Sequence, residues 1–398
     1  MTRKDFLRKA AIFGAASPFL ASLLTSCSRE GEPLDLTDGW NVNFSGNVIV
    51  IGAGAAGITA GYILNRYNID FEVLEATANH GGRVKKIEGF ADVPLDLGAE
   101  WIHTHPSVLA RLRDDPAGND QIDIVNYRPE SIKYWDGSRL QNLNIGNATY
   151  AEWKFRRSTW WDYFDEFFVA QFRNRIAYNA PVVSIDYTGT RVRVTTADNT
   201  VREADKVLVT VPIGVLQAGL IEFTPRLPSA KVAAIDGMDF PPGFKASIEF
   251  SERFYPDMTA RSLAGVVGGT DPELFIDGVY RKGSRRNIMN LFTVQAPAAV
   301  YSGFATEAEK LEYLIGRLDE IFDGKASATY VKHVFQDWTN EPYIRGSYSF
   351  QDGSARETLA APVDDKIYWA GEAMAVNWST VHGASESAYV ALQEILQA

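Results

Sequence analysis

Residues 47–57 read Asn47-Val48-Ile49-Val50-Ile51-Gly52-Ala53-Gly54-Ala55-Ala56-Gly57, and they commit the chain to a fold class. The first five are a continuous apolar, β-branched run, which suits a strand buried on both faces of a parallel sheet. Glycines follow at once at the spacing G-x-G-x-x-G, and Ile58 to Tyr67 then reads as a helix. Gly52 allows a tight turn, and Gly54 lets backbone N–H groups reach a pyrophosphate at the helix N-terminus. Ala56 lies on the same approach, and Gly57 lets helix and strand come close. The glycine spacing alone is a weak signal. Its context strengthens it, because a second β run, Ile69 to Glu75, ends in an acid 23 positions after Gly52. A ribose-binding carboxylate belongs there; the alternative for Glu75 is an exposed strand-end acid. An α/β chain that binds a dinucleotide is expected.

Composition narrows the partners. The 398 residues carry 39 Lys+Arg against 50 Asp+Glu, a formal charge of −11 that argues against nucleic acid. A single cysteine, Cys27, excludes an intrachain disulfide, a zinc finger and an iron–sulfur cluster. Arg3, Lys4, Arg8 and Lys9 precede an apolar run from Ala10 to Ser26, broken by Pro18 and short for a permanent membrane span. Residues 1–26 therefore read as an export signal and residues 27–45 as a polar tether. Leu24-Thr25-Ser26-Cys27 resembles the bacterial lipobox, and the start resembles the twin-arginine pattern with Lys4 in place of the second arginine. An ordinary secretory signal is the alternative. Loss of residues 1–26, with four basic groups and one acid, takes the formal charge to about −14. The expectation is an exported bacterial lipoprotein, periplasmic or anchored to the outer membrane through a lipidated Cys27.

After Glu75, Gly81-Gly82-Arg83 resembles the second phosphate-contacting motif of the flavin amine oxidase family, in which a guanidinium caps the pyrophosphate. Four further stretches resemble the same family, in the same order. Leu95 to His103 looks like its substrate-side flavin loop, with Gly98, Ala99, Glu100 and Trp101 against the cofactor. Asn179-Ala180-Pro181-Val182 looks like its adenine-contacting hairpin, with Val182 at the contact. Val207 to Pro212 resembles its return strand. Tyr368 to Ala373 and Trp378 to Ala384 resemble its C-terminal signature, with Gly371 and Glu372 near the ribityl-phosphate and Thr380 and Val381 beside the isoalloxazine. The resemblance implies FAD.

Details of these motifs are closer to polyamine and spermine oxidases than to monoamine oxidases. Ser347 stands where monoamine oxidases carry a flavin-linked cysteine, which implies noncovalent FAD. Tyr348 matches one of the two facing tyrosines of monoamine oxidases and Thr380 replaces the other, so Tyr348, Trp338 and Trp378 would orient the amine. Lys245 matches the family lysine that holds a water by the reactive ring nitrogen and assists flavin reoxidation or imine hydrolysis. Locally, Phe244, Ala246, Ile248 and Phe250 alternate with Lys245, Ser247 and Glu249, and a solvated strand lysine is the alternative. His103 matches the histidine lining the substrate site, a hydrogen-bond partner or proton acceptor for the amine. With His105 pointing the other way, no metal site is expected. His382 reads as a packing residue, and His80 and His333 as surface or core. Glu100 reads equally as a cation anchor or as a strand-end acid.

The expected architecture is two interleaved domains: a Rossmann-like FAD domain from residues 46–100, 177–215 and 360–398, and a mixed-sheet plus helical substrate domain from 101–176 and 216–359. The second would contain a mostly helical piece with an amphipathic aromatic run, Tyr150 to Phe172, and a helix Glu307 to Phe322. The piece between His103 and Asn179 is short for the family, which implies either an open tunnel or a homodimer whose second subunit completes it. The resemblance implies oxidation of an amine, most naturally a polyamine. Hydride passes to the flavin, dioxygen becomes hydrogen peroxide, and the imine hydrolyses to an aldehyde. Other readings are an L-amino acid oxidase using Arg128, Arg139 or Arg345 for the carboxylate, a flavin amine dehydrogenase with a quinone or cytochrome acceptor, and a noncatalytic FAD lipoprotein.

Overall fold

A computed structural model describes residues 40–114, 122–143, 152–261, 273–350 and 355–397. The export signal, the lipobox with Cys27, most of the tether and Tyr150 lie outside the described residues. Five parallel strands form one sheet in the order Ile176–Ala177, Asp70–Leu74, Asn47–Ile51, Lys206–Val209, Ile367–Trp369. Along its central strand the pleat sends Val48 and Val50 to one face and Ile49 and Ile51 to the other, and both faces are covered. That double burial is why the run carries no polar alternation. The first face receives helices Ala55–Arg66 and Val381–Gln397, which pack on each other. The hydroxyl of Thr59 donates to that of Ser385 across the contact at 2.9 Å. A four-stranded sheet covers the other face, in the order Val201–Ala204, Val192–Thr196, Val182–Asp186, Glu222–Thr224.

A second, seven-stranded mixed sheet runs in the order Tyr330–Asp337, Gly243–Phe250, Asn287–Val294, Glu273–Asp277, Met258–Ala260, Ile132–Trp135, Leu140–Asn142. Phe244, Ala246, Ile248 and Phe250 enter a core with helices Gln295–Gly303 and Glu307–Phe322. The helix Glu307–Phe322 begins where the sequence indicated, at a capping box made by Thr306 and Glu309. The opposite face of strand Gly243–Phe250, with Lys245, Ser247 and Glu249, is buried too. The solvated alternative for Lys245 is thereby excluded.

The segment between His103 and Asn179 departs from expectation. Among the described residues it mixes strand and helix: after a short helix Val108–Leu112, the strands Ile124–Tyr127, Ile132–Trp135, Leu140–Asn142 and Glu152–Phe155 precede a helix of only eight residues, Trp160–Phe167. The aromatic run contains two different elements. Glu152–Phe155 pairs with Trp101–Ile102 and Ile124–Tyr127, and Thr159 then caps the helix by accepting from the Asp162 N–H at 3.2 Å. Phe155, Trp160, Tyr163, Phe164, Phe168 and Phe172 do not build a substrate domain but pack in the core of helix Ala55–Arg66. Gly61 makes room for them, since a Cβ there would lie 2.6 Å from the Phe172 ring. The strand Glu222–Thr224 likewise joins the sheet of Val182–Asp186, beyond residue 215.

Two motif glycines do different work. A Cβ on Gly57 would lie 1.9 Å from the Gly52 carbonyl oxygen, backbone against backbone, whereas a Cβ on Gly54 would meet nothing within 4 Å. Gly57→Ala is expected to destabilise the cofactor-free protein by about 1–3 kcal/mol through overpacking. Gly54→Ala, at a helix N-cap with φ −79°, should cost less than about 1 kcal/mol. Denaturant titration of both apoproteins checks this, and equal losses would contradict it.

Candidate active site

A cavity of about 910 Å³ is lined by the carboxyl ends of the parallel strands and by strands of the seven-stranded sheet. Ligands of doubly wound sheets bind at that edge. Of the catalytic and cofactor-contacting residues indicated by the sequence, all line it except Gly57, which sits behind the wall and sets the helix–strand distance. The N-termini of two helices face the cavity: Ala55 and Ala56 from one, and Thr380, Val381 and Ala384 from the other. Each presents a positive dipole end, and the first, behind the glycine turn, is suited to a pyrophosphate. Thr380 caps its helix, accepting from the Gly383 N–H at 3.0 Å.

Glu75 is buried, not an exposed acid. Its Oε2 accepts from the Ala53 N–H at 2.8 Å, and its Oε1 accepts from the N–H and hydroxyl of Thr77 at 2.9 and 2.8 Å. A carboxylate has about four acceptor positions, so one is left for a ribose hydroxyl. Gly52 and Gly82 hold φ of +100° and +57°, and the open Cβ direction of Gly54 gives a ligand access to backbone. These features fit a dinucleotide. Arg83 donates through Nη1 to the Ser347 carbonyl and to Glu372 Oε1, both at 2.9 Å. Glu372 also accepts from Ser349 and from the Ser379 N–H, so it fixes the two loops that close the cavity. The Ser347 hydroxyl donates to the Pro241 carbonyl at 2.9 Å.

Trp338, Tyr348, Trp378, His103 and Lys245 line another part of the wall. The Trp338 indole N–H donates to the Leu97 carbonyl at 3.1 Å, and Lys85 Nζ already lies 5.9 Å from its ring centroid. Trp338 thus offers a shared face to a cation. Burial pushes the Tyr348 phenol well above its ordinary range. His103 Nδ1 lies 3.2 Å from Glu152 Oε1. Burial opposes charge on the imidazole, but the Glu152 carboxylate outweighs it and raises the His103 pKa. Burial, aided by His103 and Arg111, pulls His382 down to about 3, so it is neutral. His80, also on the wall, stacks on Trp161 at 4.8 Å. Sequence reasoning missed Glu152, whose Oε2 is buried without a hydrogen-bond partner among the described residues. The signal was the alternation Glu152-Trp153-Lys154-Phe155, with the two charges on one buried face and Trp153 and Phe155 turned to the hydrophobic core on the other.

Beneath this part of the wall lies a cluster of buried charges. Glu100 Oε1 accepts from Lys154 at 2.7 Å and Oε2 from Lys245 at 3.0 Å. Glu100 is therefore neither a strand-end acid nor a free anchor for a substrate cation. Burial works against its charge, yet Lys154, then Lys245 and Lys282, hold it well below the usual carboxylate range. Asp96, with Lys282 3.9 Å away, is pushed up to about 7 by burial. Lys245 also donates to the carbonyls of Asp96 and Gly98, at 3.0 and 2.9 Å. An ammonium has three N–H groups, and all three are engaged. To hold a water, as the resemblance implies, Lys245 must release or share one of these bonds.

Comparison with known proteins agrees with this construction. The profile of the family described as flavin containing amine oxidoreductase matches residues 163–396, and that of an NAD(P)-binding Rossmann-like domain matches residues 50–114. Polyamine oxidase 3 of Oryza sativa subsp. japonica is 31% identical over 87% of this chain and 88% of its own length. Lysine-specific histone demethylase 1B of Mus musculus is 27% identical over 82% of this chain, which spans only 50% of that protein. A solved putrescine oxidase mutant, redesigned in cofactor binding, superposes with a TM-score of 0.72 at 14% identity and covers 89% of this chain and 100% of its own. The chain belongs to the flavin-containing amine oxidoreductase family, and the dinucleotide for which this cavity is built is FAD.

Proposed function

We propose that the protein is an FAD-dependent amine oxidase acting on polyamines, with dioxygen as acceptor. The observation that carries the reading is Glu152: a buried carboxylate with one oxygen unpartnered among the described residues, on the wall of the cavity that Lys245 and the aromatic residues share. A buried carboxylate of this kind seeks a cation, and a polyamine carries ammonium groups beyond the nitrogen being oxidised. Bound noncovalently, FAD supplies the two-electron acceptor that dioxygen regenerates with release of hydrogen peroxide.

The chain's own residues then do three things. Glu152 anchors a distal ammonium. His103, with its pKa raised by Glu152, takes the proton from the reacting nitrogen, so that a neutral amine presents its C–H. Trp338, Tyr348 and Trp378 exclude water and align the carbon chain. Loss of hydride gives an imine, and addition of water cleaves it to an aldehyde and a shorter amine. The relatives named polyamine oxidases support the substrate class. The same proposal places the enzyme outside the cytoplasm, tethered by a lipidated Cys27.

Anaerobic mixing of the loaded enzyme with spermine, spermidine, putrescine, aromatic amines and amino acids should bleach the flavin absorbance fastest with the polyamines. Bleaching by amino acids alone would overturn the reading. Glu152→Gln should lower kcat/KM for spermidine by about 10- to 100-fold, the scale of a lost charged hydrogen bond. Because the carboxylate holds the His103 pKa up, the acid limb of the kcat/KM profile should move to lower pH in this variant; an unmoved limb contradicts the role given to His103. Cys27→Ser should shift the expressed protein from the membrane pellet to the soluble fraction, and continued sedimentation with membranes would count against the anchor.

A further inference from the structure

Lys154 takes no part in the chemistry described above, yet it is the most enclosed cation of the cluster, 1% exposed. It reaches Glu100 Oε1 from strand Glu152–Phe155 while Lys245 holds Oε2. Trp101 and Tyr127 flank its ammonium at 4.6 and 4.3 Å from their ring centroids, which excludes water and favours the charge. Around it the cluster holds three lysines, Lys154, Lys245 and Lys282, against two carboxylates, Glu100 and Asp96, all 5% exposed or less. Burial pulls the Lys154 pKa below the ordinary lysine value, with Glu100 the main opposing influence. Asp96, pushed up to about 7, supplies less than a full negative charge near neutrality. A single carboxylate thus serves two ammoniums, and the surplus positive charge reaches the cavity through Lys245 and Glu100, which line it.

A buried surplus charge is costly until an opposite charge comes near. We propose that Lys154 is a positioning residue that, by sharing Glu100 with Lys245, leaves uncompensated positive charge at the cavity wall and so raises the reduction potential of the bound flavin. The inference rests on the flavin ring lying at the Lys245 end, as in the function proposed above. On taking up two electrons and one proton the cofactor gains one negative charge, which the surplus stabilises relative to the oxidised form. Neither the family motifs nor the residues assigned to the amine involve Lys154.

The test is the midpoint potential of the flavin in the intact loaded protein, poised against a reference dye during anaerobic enzymatic reduction. Lys154→Gln keeps an N–H donor for Glu100 but removes the charge. It should retain FAD and weaken reduction at least tenfold, about 30 mV downward for a two-electron couple. Lys154→Arg should keep the wild-type value. Full FAD content with an unchanged potential in Lys154→Gln overturns the proposal. If that variant loses its FAD, Glu100→Gln decides, since removing the shared anion should raise the potential; an unchanged or lower value, or loss of FAD from both variants, reduces the cluster to a purely structural role. A lowered potential in an enzyme that no polyamine reduces would leave this inference standing and remove the substrate assignment, whereas polyamine turnover with an unchanged potential would do the reverse.

Discussion

A carboxylate is costly to bury unless cations or hydrogen bonds compensate it, and Glu100, met by two lysines, organises the reactive half of the molecule around that requirement. Its two oxygens face two different elements: Lys245 on strand Gly243–Phe250 of the seven-stranded sheet and Lys154 on the strand that pairs with Trp101–Ile102. The loop from Asp96 to Glu100, which joins the two halves, is held by its side chain and also by the two carbonyls that Lys245 bonds. Removing Glu100 would leave two ammoniums without their shared anion in a dry interior, whereas removing either lysine would leave the carboxylate a single cation. The geometry of the amine end is therefore set by electrostatic necessity more than by packing.

The dinucleotide end depends on a steric constraint. Gly57 lets a helix pack so close to the strand that a Cβ there would lie 1.9 Å from the Gly52 carbonyl oxygen. The free N–H groups of that helix therefore face the cavity together with those of the helix that closes the chain. Glu75, fastened by Ala53 and Thr77, adds the polar fixed point.

Much of this was legible in the residues themselves. A parallel strand without polar alternation, a glycine turn and an acid at the next strand end carry a local physical signature, and the structure realises each within a residue or two. The helix Glu307–Phe322 was equally clear, because its capping box and apolar stripe agree. The aromatic segment from Tyr150 to Phe172 was not. Apolar spacing there satisfies a helix, but pairing with two distant strands decides otherwise at Glu152–Phe155, a nonlocal preference that no window of sequence displays. The inward charges of Glu152 and Lys154 were hidden by the same misreading. For Lys245 and Glu100 the sequence indicated position but not partners, since a bond between residues 145 apart is a property of the fold.

The cavity wall draws on Gly54 and Glu75 near one end of the chain and on Thr380 and Val381 near the other, and Ile367–Trp369 supplies an edge strand of the sheet beneath. A chain in which residues 367–397 are not yet made has half a binding site and one of the two helix termini. A complete cofactor cavity therefore needs both segments, and the bound dinucleotide closes the molecule like a clasp that joins the first βα unit to the last.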